Sequence, residues 1–350
     1  MDTFHNDIML QKSFLEKAVS GYLGPETVLS IQKIKERRFS KIIFTGMGSS
    51  HFCALSASAY LTRQGIDSKV ISASSLLHYE LPGIDRNTLL IMISQSGESA
   101  EIVSLLDVLP PCGCLAGITN RTDSTLAGRS ELVLHLNVPE ESTVSTRTYT
   151  ASFLYCHVLS HLLTGTSPAE EQDLLSSALQ GIDSLLKASS VFYDPLKDFL
   201  QDCHIPYYIG RGYSLSTAYA AALFTQEAAK IPGVGTDGGE FRHGPFEVLS
   251  PDFYCVILAP DGITWELSCR MALEIGQKGG HVVLLTNRMP ETSEIDIWKN
   301  IFPISYSALP EDLSPALDIV PIQFMIHALA EHHRNNPNIF LHASKVTTTQ

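Results

Sequence analysis

Short runs of consecutive apolar residues alternate along this chain with longer stretches of helical spacing. The first run, SKIIFTGMGSS (residues 40–50), is rich in Ile and Phe and breaks into glycine and serine. That is the pattern of a buried parallel strand entering a tight turn. Helical text (HFCALSASAYLTRQ) follows, then the strand SKVISA, a further helix and the strand TLLIMIS. SAEIVSLLDVL reads as a helix and CLAGITN as another strand. Ahead of all these, residues 8–38 mix apolar and charged positions at helical intervals, which predicts one or two amphipathic helices. Strands alternating with helices predict an α/β fold with a parallel sheet and right-handed crossovers.

The second half repeats the first. PYYIGRGYS matches KIIFTGMGSS with Gly210 against Gly46, an offset of 164. FYCVILAPDG matches TLLIMISQSG with Gly262 against Gly97, an offset of 165, and VVLLTNR matches LAGITNR with Asn287 against Asn120, an offset of 167. Three landmarks at nearly one offset predict a duplicated α/β domain, not a solenoid array. Between the copies, residues 150–197 read as helices with a polar joint at GTSPAEEQD. The tail, NNPNIFLHASKVTTTQ, is turn-rich and then β-branched, and lies outside the repeat.

Composition narrows the function classes. A chain of 350 residues, 44% hydrophobic and 17% charged, is expected to form about two globular domains. Lys and Arg number 24 against 37 Asp and Glu, a net charge of −13. That balance leaves no basic face to displace counterions from a nucleic acid, so no nucleic-acid partner is expected. A small anionic ligand stays open, because the field in a pocket can oppose the global one. No apolar run approaches the ~20 residues of a membrane span, so no membrane partner is expected. The first residues, MDTFHNDIML, lack the basic and apolar regions of a signal peptide. Seven scattered cysteines fit no disulfide framework, and a cytoplasmic location is expected. Cys112 and Cys114 have no second pair to complete a zinc site, and the adjacent His332 and His333 do not share a helix face. No metal is expected.

The most informative stretch is Ser94-Gln95-Ser96-Gly97-Glu98-Ser99, between a strand and a helix. Backbone N–H groups at a helix start, with hydroxyls from Ser94, Ser96 and Ser99, make an anion cradle without lysine, suited to a phosphate monoester. A serine-rich cap is the plainer alternative. Gly46-Met47-Gly48-Ser49-Ser50 sits at the equivalent place after the first strand, and both turns are expected to face one crevice at the carboxyl ends of the strands. With His51 where a dinucleotide turn needs its third glycine, no nicotinamide cofactor is expected. A second constellation is the glycine-flanked His243 in GEFRHGPFE, preceded by Glu227. Histidine titrates nearest neutrality, and a glutamate can carry a proton between adjacent carbons. The alternatives are a structural histidine and a solvated helix position. Ser145-Thr146-Arg147-Thr148 offers further hydroxyls and a cation, or an ordinary helix cap.

The motifs ISQSGES, STRTYT, E-x15-H, GEFRHGP and SKVTTT resemble those of the sugar isomerase (SIS) domain proteins, from about residue 35 onward. The similarity is to the isomerase half of glutamine–fructose-6-phosphate aminotransferase, and to glucosamine-6-phosphate deaminases and fructosamine-6-phosphate deglycases. It implies tandem duplicated SIS domains, each a flavodoxin-like parallel sheet flanked by helices. The implied layout is an N-terminal helical segment (1–34), a first SIS domain (35–165), a helical connector (166–197), a second SIS domain (198–335) and an active-site tail (336–350).

The resemblance also implies roles. Ser94, Ser96 and Ser99, with Gln95 beside them, would bind the phosphate of a sugar 6-phosphate, helped by Gly48, Ser49 and Ser50. Ser145 would contact the sugar. Glu227 would shuttle the proton between C1 and C2, and His243, reaching in from the neighbouring subunit of a homodimer, would open the ring. Lys345 would form a Schiff base with the ketose or set a charge over it. No cofactor is implied. No cysteine precedes Cys53 to act as an N-terminal nucleophile, so no glutaminase activity is expected of this chain. Phe224 stands where many relatives carry a lysine, which is expected to leave apolar room for a bulky amine. The expected reaction is C–N cleavage of a ketosamine or amino-sugar 6-phosphate, of deglycase or deaminase type. An aldose–ketose phosphosugar isomerase and a non-catalytic phosphosugar sensor are the alternatives.

Overall fold

The computed structural model describes residues 3–141, 143–291, 295–342 and 344–347. The chain divides into two compact units. The first comprises Gln11–Ser176 with Phe340–Gln350, and the second Met1–Leu10 with Ser177–Ile339.

The first unit contains the strands β1 (Lys41–Gly46), β2 (Ser68–Ser72), β3 (Thr88–Ile93), β4 (Cys114–Thr119) and β5 (Leu132–His135). All pair in parallel, in the order β2-β1-β3-β4-β5. The central strands are buried on both faces, as their unbroken apolar runs require. Ile43, Leu90, Met92, Ile102, Leu105 and Leu126 pack into one core between sheet and helices. The strand order reverses between β1 and β3, where Gly46 pairs with Ile93. In an open α/β sheet the ligand crevice lies outside the strand ends at such a reversal. The serine-rich turns after β1 and β3 leave the sheet there.

The second unit contains β6 (Pro206–Gly210), β7 (Val234–Asp237), β8 (Tyr254–Leu258), β9 (His281–Thr286) and β10 (Ile301–Ser305). Its order, β7-β6-β8-β9-β10, all parallel, repeats the first sheet. The duplicated α/β architecture expected from the repeat is therefore present, and the glycine landmarks show why it left a trace. A Cβ at Gly46 would meet the Ile93 carbonyl at 2.8 Å, and one at Gly210 the Ser214 carbonyl at 2.8 Å. The same crowding at each first strand's end keeps glycine in both copies. The polar joint is also as expected, between the helices Arg147–Thr164 and Pro168–Phe199. No helix among the described residues is long and apolar enough to cross a membrane.

One buried charge of the second unit lies outside any expectation. Asp318, on the helix Pro315–His332, is fully buried. Burial pushes its carboxyl up to about 7, partly opposed by the nearby Tyr306 hydroxyl. The folded state thus keeps a proton that the unfolded chain releases in the usual carboxylate range. The stability this group confers is full below that range and is lost as pH rises through about 7. The thermal midpoint of the native chain is expected to fall with rising pH across this window relative to Asp318→Asn. Parallel curves for the two proteins would refute this assignment.

Candidate active site

The turn Ser94–Ser99 is anchored at the end of β4. Ser94 N donates to Ile118 O at 3.0 Å and Asn120 N to Gln95 O at 2.9 Å. Within the turn, Ser94 Oγ accepts from Gly97 N at 3.1 Å and Ser96 Oγ from Glu98 N at 3.2 Å, while the Ser94 and Ser99 hydroxyls lie 3.3 Å apart. A hydroxyl that accepts in this way still has its own proton to donate. Ser99 stands at the start of the nine-residue helix Ala100–Val108, whose dipole favours an anion there. The carboxylate in the turn, Glu98, is engaged away from it, accepting from Thr125 N at 2.6 Å and Thr125 Oγ1 at 2.9 Å.

Gly97 has φ +67°, and a Cβ there would fall on the Ser124 hydroxyl and within 2.5 Å of the Ser124 Cβ. Ser124 Oγ accepts from Ala127 N at 3.3 Å, capping the helix Thr125–Arg129, so it has little freedom to move aside. Gly97→Ala is expected to cost about 2–3 kcal/mol through left-handed strain and the loosened cap. Chemical denaturation checks this, and a loss below 0.5 kcal/mol (roughly a neutral surface change) would contradict it.

Beside the turn is a small, shallow cleft lined by Ser49, Ser50, Gln95, Ser145, Thr148, Tyr149 and Ser152. Its lining has six hydroxyls, one amide and no charge. Ser49 and Ser50 begin a short helix after Gly48, which has φ +52°. Four of the residues named from the sequence, Ser49, Ser50, Gln95 and Ser145, therefore line one cleft. Arg147 does not offer a free cation. It is buried, donating to Pro139 O at 3.2 Å and Glu140 O at 2.8 Å, with its guanidinium 4.8 Å from the Phe14 ring.

Glu141, a residue the motifs did not single out, organises this side. Its side chain is buried and accepts from Thr146 N at 3.0 Å, Thr146 Oγ1 at 2.7 Å, Thr148 N at 3.3 Å and the Thr148 hydroxyl. It thus fixes the start of the helix Arg147–Thr164, which carries Thr148 into the cleft. Lys345 Nζ lies 3.7 Å from Glu141 Oε2 and donates to Thr143 O. Two residues on, Thr347 O accepts from Ala100 N at 3.0 Å, at the start of the helix behind the serine turn. The tail is thus pinned beside the turn at two points. Thr348 and Thr349, the end of the SKVTTT motif, lie outside the described residues.

The sequence pattern of the SIS domain matches residues 34–162, the segment that builds this turn and cleft. The chain carries a segment similar to the SIS domain. It is 29% identical over 324 residues to the isomerizing glutamine–fructose-6-phosphate aminotransferase of Pyrococcus horikoshii, covering 89% of this chain and 52% of that protein. The chain spans about half the length of the curated relatives it matches. Among solved structures, the C-terminal domain of glucosamine-fructose-6-phosphate aminotransferase from Francisella tularensis superposes with a TM-score of 0.84 at 16% identity, covering 96% of this chain and 98% of that one. Glucosamine-6-phosphate deaminase from Thermotoga maritima gives 0.73 at 23% identity, covering 98% and 99%. These likenesses establish the fold.

The two remaining residues named from the sequence lie outside the matched SIS segment, in the second unit. Glu227 is half-buried on a wide helical turn, Thr225–Ala229, that continues the helix Leu215–Phe224. Lys230 closes this turn, donating to Glu227 O at 3.1 Å and Asn336 O at 2.9 Å. His243 is exposed, after the short helix Gly238–Arg242 and before Gly244 at φ +136°. Phe224 is 1% exposed and presents no open apolar surface to a bulky amine.

Proposed function

We propose that this protein is an enzyme acting on the open-chain form of a sugar 6-phosphate. The observation that carries the reading is the cleft of six hydroxyls beside the Ser94–Ser99 turn. Uncharged donors at a helix start suit a phosphate monoester. Lys345 on the adjoining tail adds a cation or an amine for a Schiff base. On this reading His243 assists ring opening and Glu227 moves a proton between C1 and C2. Water then cleaves the C–N bond of a ketosamine or amino-sugar phosphate, releasing an amine or ammonia and leaving a hexose 6-phosphate. The roles of Glu227 and His243 rest on their E-x15-H spacing. The exposure of His243 supports a homodimer in which it serves the neighbouring copy.

The test is a product assay on the purified chain. It is given glucosamine 6-phosphate, a panel of fructosamine 6-phosphates, and fructose 6-phosphate with glucose 6-phosphate. Amino acid plus glucose 6-phosphate identifies a deglycase, and ammonia from glucosamine 6-phosphate a deaminase. Interconversion of hexose phosphates without nitrogen release identifies an isomerase. Thermal stabilisation by these compounds without any product would replace the enzyme reading with a sensor.

A further inference from the structure

Away from the cleft, the first unit brings together two imidazoles and a carboxylate that the proposed chemistry does not use. His157 and His161 lie one turn apart on the helix Arg147–Thr164, so they share a face. Glu171 comes from the first turn of the helix Pro168–Phe199, across the joint at Gly165, where φ is +111°. All three are buried, Glu171 completely. His157 Nε2 lies 3.2 Å from Glu171 Oε1 and His161 Nδ1 lies 3.3 Å from Glu171 Oε2. The three residues can present one donor atom each, all within 4.8 Å of one another.

We infer that His157, His161 and Glu171 form a binding site for a divalent transition-metal ion of the zinc type. Metal–ligand bonds of about 2.0 Å in tetrahedral geometry place neighbouring donors about 3.3 Å apart, close to the two separations found. Neither Glu171 oxygen accepts a hydrogen bond, although each has an imidazole nitrogen within 3.3 Å. Short separation without hydrogen-bond alignment is what two ligands of one ion have, because each lone pair aims at the ion and not at the other ligand. Two imidazoles and one carboxylate suit zinc better than a hard cation such as magnesium.

The surroundings hold the donors in place. The Tyr60 ring stacks on His161 at 4.1 Å and the His157 and His161 rings are 3.9 Å apart, while the Thr166 hydroxyl, 3.5 Å from His161 Nδ1, would give up that contact to the ion. The bound ion would clamp together the two helices on either side of the joint. The inference is independent of the sugar-phosphate reading.

The experiment uses the full chain, stripped with chelator and titrated with Zn²⁺ and, separately, Co²⁺. One equivalent of Zn²⁺ is expected to bind and raise the thermal midpoint. Co²⁺ is expected to give the visible absorption of a four-coordinate nitrogen–oxygen site. Glu171→Gln and His157→Gln, with helical circular dichroism retained, are each expected to weaken Zn²⁺ binding by more than the roughly 10- to 100-fold cost of losing an outer-shell partner. If a variant fails to fold, X-ray absorption on the zinc-loaded native chain decides by ligand type. No stoichiometric binding, sulfur ligation, or affinity unchanged in both folded variants would overturn the inference and leave a proton-linked His–Glu cluster.

Discussion

Glu227→Gln is expected to lower turnover of the substrate found in the product assay by about 10²- to 10⁴-fold, the usual worth of a positioned proton-transfer group. The amide keeps the size of the side chain but cannot take a proton from carbon. Lys230 holds its turn through the backbone carbonyls of Glu227 and Ala228, which the substitution leaves in place. The thermal midpoint and its shift with inorganic phosphate should therefore match those of the native chain. The informative comparison is kcat against phosphate affinity. A fall in kcat alone assigns Glu227 to the chemistry. Unchanged turnover removes it from the mechanism, and a fall in phosphate affinity with kcat intact makes it a binding residue.

Glu141→Ala is expected to cost about 3–5 kcal/mol, the range for removing one partner from a buried charged network. The substitution strands donors on Thr146 and Thr148 and takes away the carboxylate facing Lys345. Two effects should separate. Denaturant unfolding reports the lost helix start, while the rate at which borohydride traps a ketose phosphate on Lys345 reports the freed amine. Glu141→Gln keeps one acceptor oxygen and should recover part of the stability without restoring the charge. If alanine costs under 1 kcal/mol (roughly one surface ion pair), Glu141 does not organise the helix start.

The sequence was most legible where strands are buried on both faces. The apolar runs gave β1, β3, β4, β6, β8 and β9, together with the edge strand β2. The strands not named from the pattern, β5, β7 and β10, are all at sheet edges. β5 alternates buried and exposed residues, β7 contains a glycine and is half-buried throughout, and β10 contains Pro303. An edge strand needs no continuous apolar run and tolerates proline, so its signal is weak.

The same limit applies to the candidate site. The Ser94–Ser99 turn is made of adjacent residues and could be read directly. Glu141 acts on residues five and seven positions later and on a tail 204 positions away, and only its placement just ahead of a Ser/Thr-rich helix start hinted at a cap. The spacing of His157 and His161 was visible within text read only as helix, but their third partner comes from beyond the joint.

The duplication described above has a consequence for stoichiometry. In the second copy, the turn equivalent to Ser94–Ser99 follows β8 and leads to the helix Trp265–Gln277. Its glycine landmark, Gly262, lies against the Glu311 carboxyl, which accepts from Ile263 N at 3.1 Å. Asp261 adds a second negative charge, paired with Arg288 at 3.1 Å. This helix start already has an anion of its own, covalently part of the chain and impossible to wash out. On the proposed reading, two sheets of one topology therefore hold one external phosphate per polypeptide, and a saturation experiment should count one where counting folds would suggest two.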